Sequence, residues 1–258
     1  MTNKEFKKLK DDLWLAANKL RADSDLKSND YATPVLGIIF LKFADIKYRK
    51  FETEILAEYN KNKGTRLEQP IDKIAIAKCG LYIPDYARYD TLKELSADKA
   101  IDKALIEAMK GIEKHVISLK DTLPKDEFYG ISRKGQTLLK QLLKLFSTIP
   151  DDSSGDLLGK IYEFFLEKFG LEEAQKGGEF FTPTSVVTLM VEYIEPYHGK
   201  IFDPACGSGG MFVQSNNFIL RHHLQKGSVS PISVYGQEKT LQTVNLAKMN
   251  LAINGLRG

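Results

Sequence analysis

One stretch limits the architectures open to this chain: Lys200-Ile-Phe-Asp-Pro-Ala-Cys-Gly-Ser-Gly-Gly-Met211. A short apolar run ends in Asp203-Pro204, and a turn holding Gly207, Gly209 and Gly210 opens onto Met211-Phe212-Val213. Glycine tolerates positive φ and lets backbone amides approach a ligand with no Cβ between them. Strand, glycine turn and helix in that order predict the opening of a nucleotide-type βαβ unit. Downstream, residues 211–222 read as the helix and Gly227-Ser-Val-Ser-Pro231 closes it. Ile232-Ser-Val-Tyr-Gly-Gln-Glu238 reads as the next strand, and residues 240–253 as an apolar-periodic helix.

The part of the chain before residue 150 reads as mainly helical. Residues 4–20 place Phe6, Leu9, Leu13, Trp14, Ala17 and Leu20 at helical spacing. Lys7, Lys8 and Lys10 on the opposite face suit either phosphate contact or simple solvation. Residues 24–29 are polar and predict a loop. Pro34-Val-Leu-Gly-Ile-Ile-Phe-Leu-Lys-Phe-Ala44 is too long an apolar run for a strand and predicts a buried helix reaching Ile55, with Thr33 as cap and Pro34 in its first turn. Residues 60–70 read as a loop and Leu81-Tyr-Ile-Pro-Asp-Tyr86 as a short extended piece. Helical patterns resume at 90–95, 97–117, 135–146 and 157–169, with breaks at Leu123-Pro124 and Pro150-Asp-Asp-Ser-Ser-Gly155. The fold expected is a mainly α N-terminal domain, 1–150, followed by the beginning of an α/β Rossmann-like domain, 151–258, with an incomplete sheet.

Composition excludes several classes. No run of about 18 apolar residues exists to span a membrane, and the charged start lacks the apolar core of a signal peptide. Cys79 and Cys206 are the only cysteines and form no CxxC pair, which argues for a reducing, cytoplasmic setting and against a zinc site. His222-His223 sits beside Arg221 and Lys226 and reads as a solvated helix face. The net charge of +3 permits a polyanionic partner without requiring one.

The ligand class narrows by chemistry. The turn lacks the Gly-Lys-Ser/Thr ending of a P-loop and the GxGxxG spacing of dinucleotide folds. Asp203 precedes it instead; a carboxylate there repels a pyrophosphate but accepts hydrogen bonds from an ammonium group. Glu238, at the carboxyl end of the second strand, suits ribose hydroxyls or a plain helix cap. A ligand with an amino-acid end and a ribose end satisfies both acids, and S-adenosylmethionine is such a ligand. Upstream, Lys176-Gly-Gly-Glu-Phe-Phe-Thr-Pro183 leads into an apolar helix over 185–194, for which Thr182 can serve as cap and Pro183 can fill the first turn. That segment suits either an ordinary capped helix or a loop whose amides and phenylalanines face a ligand.

Taken together, Gly178-Glu-Phe-Phe-Thr-Pro183, Asp203-Pro-Ala-Cys-Gly-Ser-Gly-Gly210 and Gln237-Glu238 resemble the N-6 adenine DNA methyltransferases of type I restriction–modification systems, in their modification (M) subunit. Leu13-Trp14, Asn18-Lys-Leu-Arg21, Val35-Leu-Gly-Ile-Ile-Phe-Leu-Lys-Phe43 and Leu158-Gly-Lys-Ile-Tyr-Glu-Phe-Phe-Leu166 extend the resemblance to that subunit's helical N-terminal domain. It implies that Glu179, Phe180, Phe181, Thr182, Pro183 and Thr184 lie beside S-adenosylmethionine. Asp203, Ala205, Cys206, Gly207, Ser208, Gly209 and Gly210 would hold its methionine end and Glu238 its ribose. It also implies double-stranded DNA, a specificity (S) subunit, a restriction (R) subunit and a second M subunit as partners, with no metal.

The family flips its target adenine into a pocket built by an Asn/Asp-Pro-Pro-Tyr/Phe motif. This sequence has no such motif, and its only Asp-Pro is Asp203-Pro204. No catalytic residue is therefore assigned. The expectation is an N-terminal portion of a longer subunit, two strands into a seven-stranded sheet. Such a portion would be inactive alone, with cofactor binding weak or absent, and exposed at its strand edges. The competing readings are a non-catalytic helical module that docks a specificity subunit or DNA, and a fragment of a protein or RNA methyltransferase.

Overall fold

The computed structural model describes residues 2–24, 26–96, 99–133, 136–150, 155–175, 182–223 and 232–256. The chain divides into two compact units, Met1–Tyr162 and Glu163–Gly258.

The first unit is helical. Its elements are α1 (Asn3–Ala22), α2 (Ser28–Asn62), α3 (Ile71–Cys79), α4 (Tyr89–Lys93), α5 (Ile101–His115), α6 (Asp126–Ser132) and α7 (Gln136–Phe146), with single 3-10 turns at Asp85–Ala87 and Ile117–Leu119. A helix apolar on every side must be enclosed, and α2 is the axis around which the others pack. Val35, Leu36, Ile38, Ile39, Phe40 and Leu41 are all fully buried.

The expected start of α2 at Thr33-Pro34 is corrected. The helix begins at Ser28, with Lys27 as its N-cap and Pro34 inside it. Proline there removes one backbone hydrogen bond. Burial of Tyr31 and Ala32 offsets that loss, and the Tyr31 hydroxyl donates to the Ala17 carbonyl of α1 at 2.7 Å. α2 also runs past the expected loop start at residue 60. Two helices were not legible, α3 and α6; at nine and seven residues they are too short to stand alone and form by packing on α2.

Buried charges fasten the crossing of α2 and α4. Asp45 is 1% exposed and accepts from Arg88 Nε at 2.6 Å, while the Arg88 guanidinium forks onto Glu52 at 2.6 and 3.1 Å and lies over the Tyr48 ring. Arg49 bridges Asp45 to Asp90. Between α5 and α6 the buried Glu113 accepts from the amides of Thr122 and Leu123 and from Lys125 Nζ, so its charge is paired and these three donors are satisfied.

α8 (Gly155–Gln175) crosses the division between the units. The second unit continues with α9 (Thr184–Ile194), β1 (Gly199–Asp203), α10 (Gly210–His223), β2 (Ile232–Gly236) and α11 (Leu241–Ile253). β1 and β2 pair in parallel with Asp203 opposite Gly236, and the α10 crossover between them is what parallel pairing requires. The architecture is a mainly α part followed by the start of an α/β one. Ile201 and Val234 face Phe212 and Leu251, and Val187 and Val191 of α9 pack on Phe218 and Ile219 of α10. On the other sheet face Phe202 and Tyr235, directly opposed in register, are 64% and 52% exposed. His222 departs from the solvated face expected of it. Its ring stacks 4.0 Å from Phe218 and edge-on to Tyr197, with Nδ1 hydrogen-bonded to the Phe218 carbonyl. No helix among the described residues is long and apolar enough to cross a membrane.

Candidate functional site

The glycine turn is fixed by its own backbone. Asp203 ends β1, and its Oδ1 accepts from the Ala205 amide at 3.0 Å. Cys206 N–H donates to the Gln237 carbonyl and Gln237 N–H to the Asp203 carbonyl, both at 2.9 Å, so the ladder continues one step beyond the strands. Gly209 N–H closes the turn onto the Cys206 carbonyl at 2.8 Å. Gly207 and Gly209 have φ of +51° and +80°, a region that costs other residues about 1–2 kcal/mol. Gly210 is different. It is not among the positive-φ residues, and a Cβ there would meet nothing within 4 Å.

One residue that holds the turn escaped the sequence reading. A Cβ on Gly236 would lie 2.7 Å from Cys206 Sγ and 3.1 Å from the Phe212 ring. The turn therefore lies directly on the end of β2, which only a bare backbone permits. A lone glycine in an otherwise good strand, Val234-Tyr-Gly-Gln237, is the sign that such an approach leaves.

Topology brings the two acids to one edge. Asp203 is the last residue of β1, and Glu238 lies two residues past its partner Gly236, so both sit at the carboxyl ends of adjacent parallel strands. Burial pushes the Cys206 thiol up, and the charges of Asp203 and Glu238 push it further. Glu238 Oε1 accepts from the amides of Lys239 and Thr240 at 2.6 and 3.1 Å. One of its oxygens thus does the work of a helix cap ahead of α11, where Thr240 is the N-cap.

Beside the turn lies a shallow pocket open to solvent. Ser208, Gly210 and Gln214 line it from the turn and α10, Thr182, Thr184 and Val187 from the start of α9, Glu163 and Leu166 from α8, and Asn250 from α11. Thr182 was expected to cap α9. Pro183 holds that position instead, without a side-chain cap bond, and the helix starts at Thr184. A proline cannot donate at a helix start, where donors are in surplus, so the shift of one residue costs little. Glu179, Phe180 and Phe181 lie outside the described residues. Among the described residues no three His, Cys, Asp or Glu side chains gather as a metal site.

Residues 9–146 match the HsdM N-terminal domain and residues 153–258 match the family described as N-6 DNA methylase. The chain is 35% identical over 199 residues to the type I restriction enzyme HindI methylase subunit of Haemophilus influenzae, across 73% of this chain and 42% of that protein. To the MjaIX methylase subunit of Methanocaldococcus jannaschii it is 33% identical over 259 residues, 95% of this chain and 45% of that protein. The chain thus spans under half the length of these relatives. Its fold is shared with the methyltransferase subunit of a type I restriction–modification system from Streptococcus thermophilus. That likeness has a TM-score of 0.73 at 20% identity and covers 97% of this chain and 56% of that one. With the HsdM N-terminal domain alone spanning more than half of it, the chain belongs to the family of type I restriction enzyme methylase subunits.

Proposed function

We propose that the chain supplies the helical domain and the cofactor cradle of a DNA adenine N6-methyltransferase that uses S-adenosylmethionine. One observation carries the reading: the ends of β1 and β2 set Asp203, a glycine turn with two left-handed residues, and Glu238 around one edge. Asp203 and the turn from Ala205 to Gly210 face the methionine end, and the second oxygen of Glu238 takes the ribose hydroxyls while the first remains bonded to Lys239 and Thr240. Thr182 to Thr184 stand at the start of α9 beside the pocket, and Glu179, Phe180 and Phe181 are assigned to the same cofactor by the family resemblance alone. The cofactor, when bound, supplies an electrophilic methyl group. The residues of this chain hold and orient it and exclude a pyrophosphate by charge.

The domain division at 150/151, the setting in the cytoplasm and the partners follow the same reading. The enzyme acts on double-stranded DNA, and the partners are a specificity subunit, a restriction subunit and a second methylase subunit. With no Asn/Asp-Pro-Pro-Tyr/Phe in its sequence, the chain alone leaves DNA unmethylated. The test is equilibrium binding of S-adenosylmethionine, ATP and NAD to the chain and to Asp203→Ala. Preference for S-adenosylmethionine, lost in the variant, is expected; preference for ATP or NAD would overturn the reading.

A second reading, a docking module without cofactor, draws on the outward face of α9, where Val186, Leu189, Met190 and Tyr193 are exposed. Under it Leu189→Lys abolishes assembly with a specificity subunit while Asp203→Ala changes nothing.

A further inference from the structure

We propose that Asn250 is a positioning residue of the glycine turn: its buried side-chain amide holds the Ser208 carbonyl and thereby sets the Ser208–Gly209 peptide against the cofactor. Asn250 lies on α11, forty-two positions from Ser208, and is 2% exposed. Its Nδ2 donates to the Ser208 carbonyl at 3.0 Å.

The orientation of that amide is fixed from behind. Asn254 Nδ2, one turn further along α11, donates to Asn250 Oδ1 at 3.1 Å and to the Asn250 carbonyl at 2.9 Å. Rotating the Asn250 amide by half a turn would set its oxygen against the Ser208 carbonyl and its NH2 against that of Asn254. Both contacts would then be repulsive, so one arrangement survives. Asn216 of α10 in turn reaches the Asn254 carbonyl at 3.5 Å. The relay ties two helices to one peptide of the turn.

That peptide is held on its N–H side by the turn's own bond to the Cys206 carbonyl, at 2.8 Å, and on its carbonyl side by Asn250. Gly209 is left-handed, and around it the chain has the least intrinsic preference for one conformation. A Cβ added at Gly209 would meet Ala247 only in ordinary contact, at 3.7 Å, so packing does not force the turn's shape there. A buried amide with a single satisfied geometry therefore adds, from outside the turn, a restraint on the Ser208 carbonyl that the turn's own bonds do not supply. Asn250 also lines the pocket beside the turn, so loss of its amide changes the cradle from below without removing any residue that flanks the methionine end.

The cofactor part of this inference rests on the reading of the turn as an S-adenosylmethionine cradle; the structural part does not. The experiment uses the 258-residue chain with Asn250→Asp, which keeps the shape and loses the donor, and with Ile253→Ala as a control elsewhere in the buried face of α11. Amide hydrogen exchange at Gly209, whose N–H closes the turn, should rise about three- to tenfold in Asn250→Asp, the scale of losing one buried hydrogen bond. Ile253→Ala, compared at equal distance below its melting midpoint, should leave it unchanged.

S-adenosylmethionine affinity, read by amide shifts on titration, should fall by a similar factor in Asn250→Asp alone. Equal exchange in both variants would overturn the proposal. Absence of binding to the unaltered chain would count against the cofactor reading, with the exchange result still deciding the role of Asn250. Should Asn250→Asp not fold, Asn254→Ala, which removes the group that orients the amide, must raise Gly209 exchange in the same direction or the proposal fails.

Discussion

Replacing Gly236 by alanine places a methyl group 2.7 Å from Cys206 Sγ, 3.0 Å from Cys206 Cβ and 3.1 Å from the Phe212 ring. None of the three is the loose end of a flexible chain. Phe212 is 2% exposed, and Cys206 is held by its amide on the Gln237 carbonyl. Overpacking of this kind costs about 1–3 kcal/mol. Against it stands the gain of about 0.4–1 kcal/mol from stiffening the unfolded chain, available because Gly236 has no left-handed φ to lose. The clash wins, by about 1–2 kcal/mol. For a chain of this size the melting midpoint should drop by roughly 2–8 °C. The assay is thermal unfolding by circular dichroism, run with the double variant Cys206→Ala, Gly236→Ala. Removing Sγ deletes the closest contact, so the double variant should recover part of the loss and show a coupling of about 0.5 kcal/mol or more. An unchanged midpoint in Gly236→Ala, or strict additivity in the double variant, would refute the claim that the turn lies on the end of β2.

Hydrogen bonds from Arg49, and then from Lys93, hold the Asp90 carboxyl down at about 2. A depressed acid stabilises the fold above its ordinary value of 3.8 and loses that contribution as pH falls toward 2. Asp90→Asn should therefore cost about 1 kcal/mol or less at pH 7, since the side chain is 39% exposed, and only a small part of that at pH 2, as read from urea titrations at both pH values. Tyr89→Phe removes a 2.8 Å bond to the Leu143 carbonyl, which keeps the Ser147 amide as donor. The cost should be about 0.5–1.5 kcal/mol in the same titrations, and a larger loss would mean that the carbonyl is stranded. Asp203→Asn withdraws one of the charges that raise the Cys206 thiol, so iodoacetamide should modify Cys206 faster in the variant at pH 8. An unchanged or slower reaction would mean that the Asp203 charge does not act on the thiol.

The parts of this molecule that could be read from its sequence are those carried by neighbours in the chain. The apolar run of residues 35–44 announces a buried helix, and the glycine turn announces its strand and its helix, because each pattern is local. The start of α2 was misjudged for the complementary reason. Thr33-Pro34 is a good local helix start, but burial of Tyr31 and its bond to Ala17 act over fourteen residues and prevail. α3 and α6 carry too few residues for a period to show.

At the site, the acids and the turn were legible, whereas Gly236 and Asn250 were not. Both reach the turn only because β2 and α11 fold back beside β1, and neither stands next to a residue that betrays a ligand. The stacking of His222 on Phe218 and Tyr197 was likewise hidden. Two charged neighbours in sequence suggested water, while the next turn of the helix and a loop twenty-five positions back supply the aromatic rings.

The most direct test of the central claim is a titration of the isotopically labelled chain with S-adenosylmethionine to millimolar concentration, following every backbone amide by nuclear magnetic resonance. The account predicts shift changes concentrated at residues 203–210 and at Glu238 to Thr240, absent in Asp203→Ala and not reproduced by ATP. No shifts at those amides, or shifts of equal size with ATP, would contradict it.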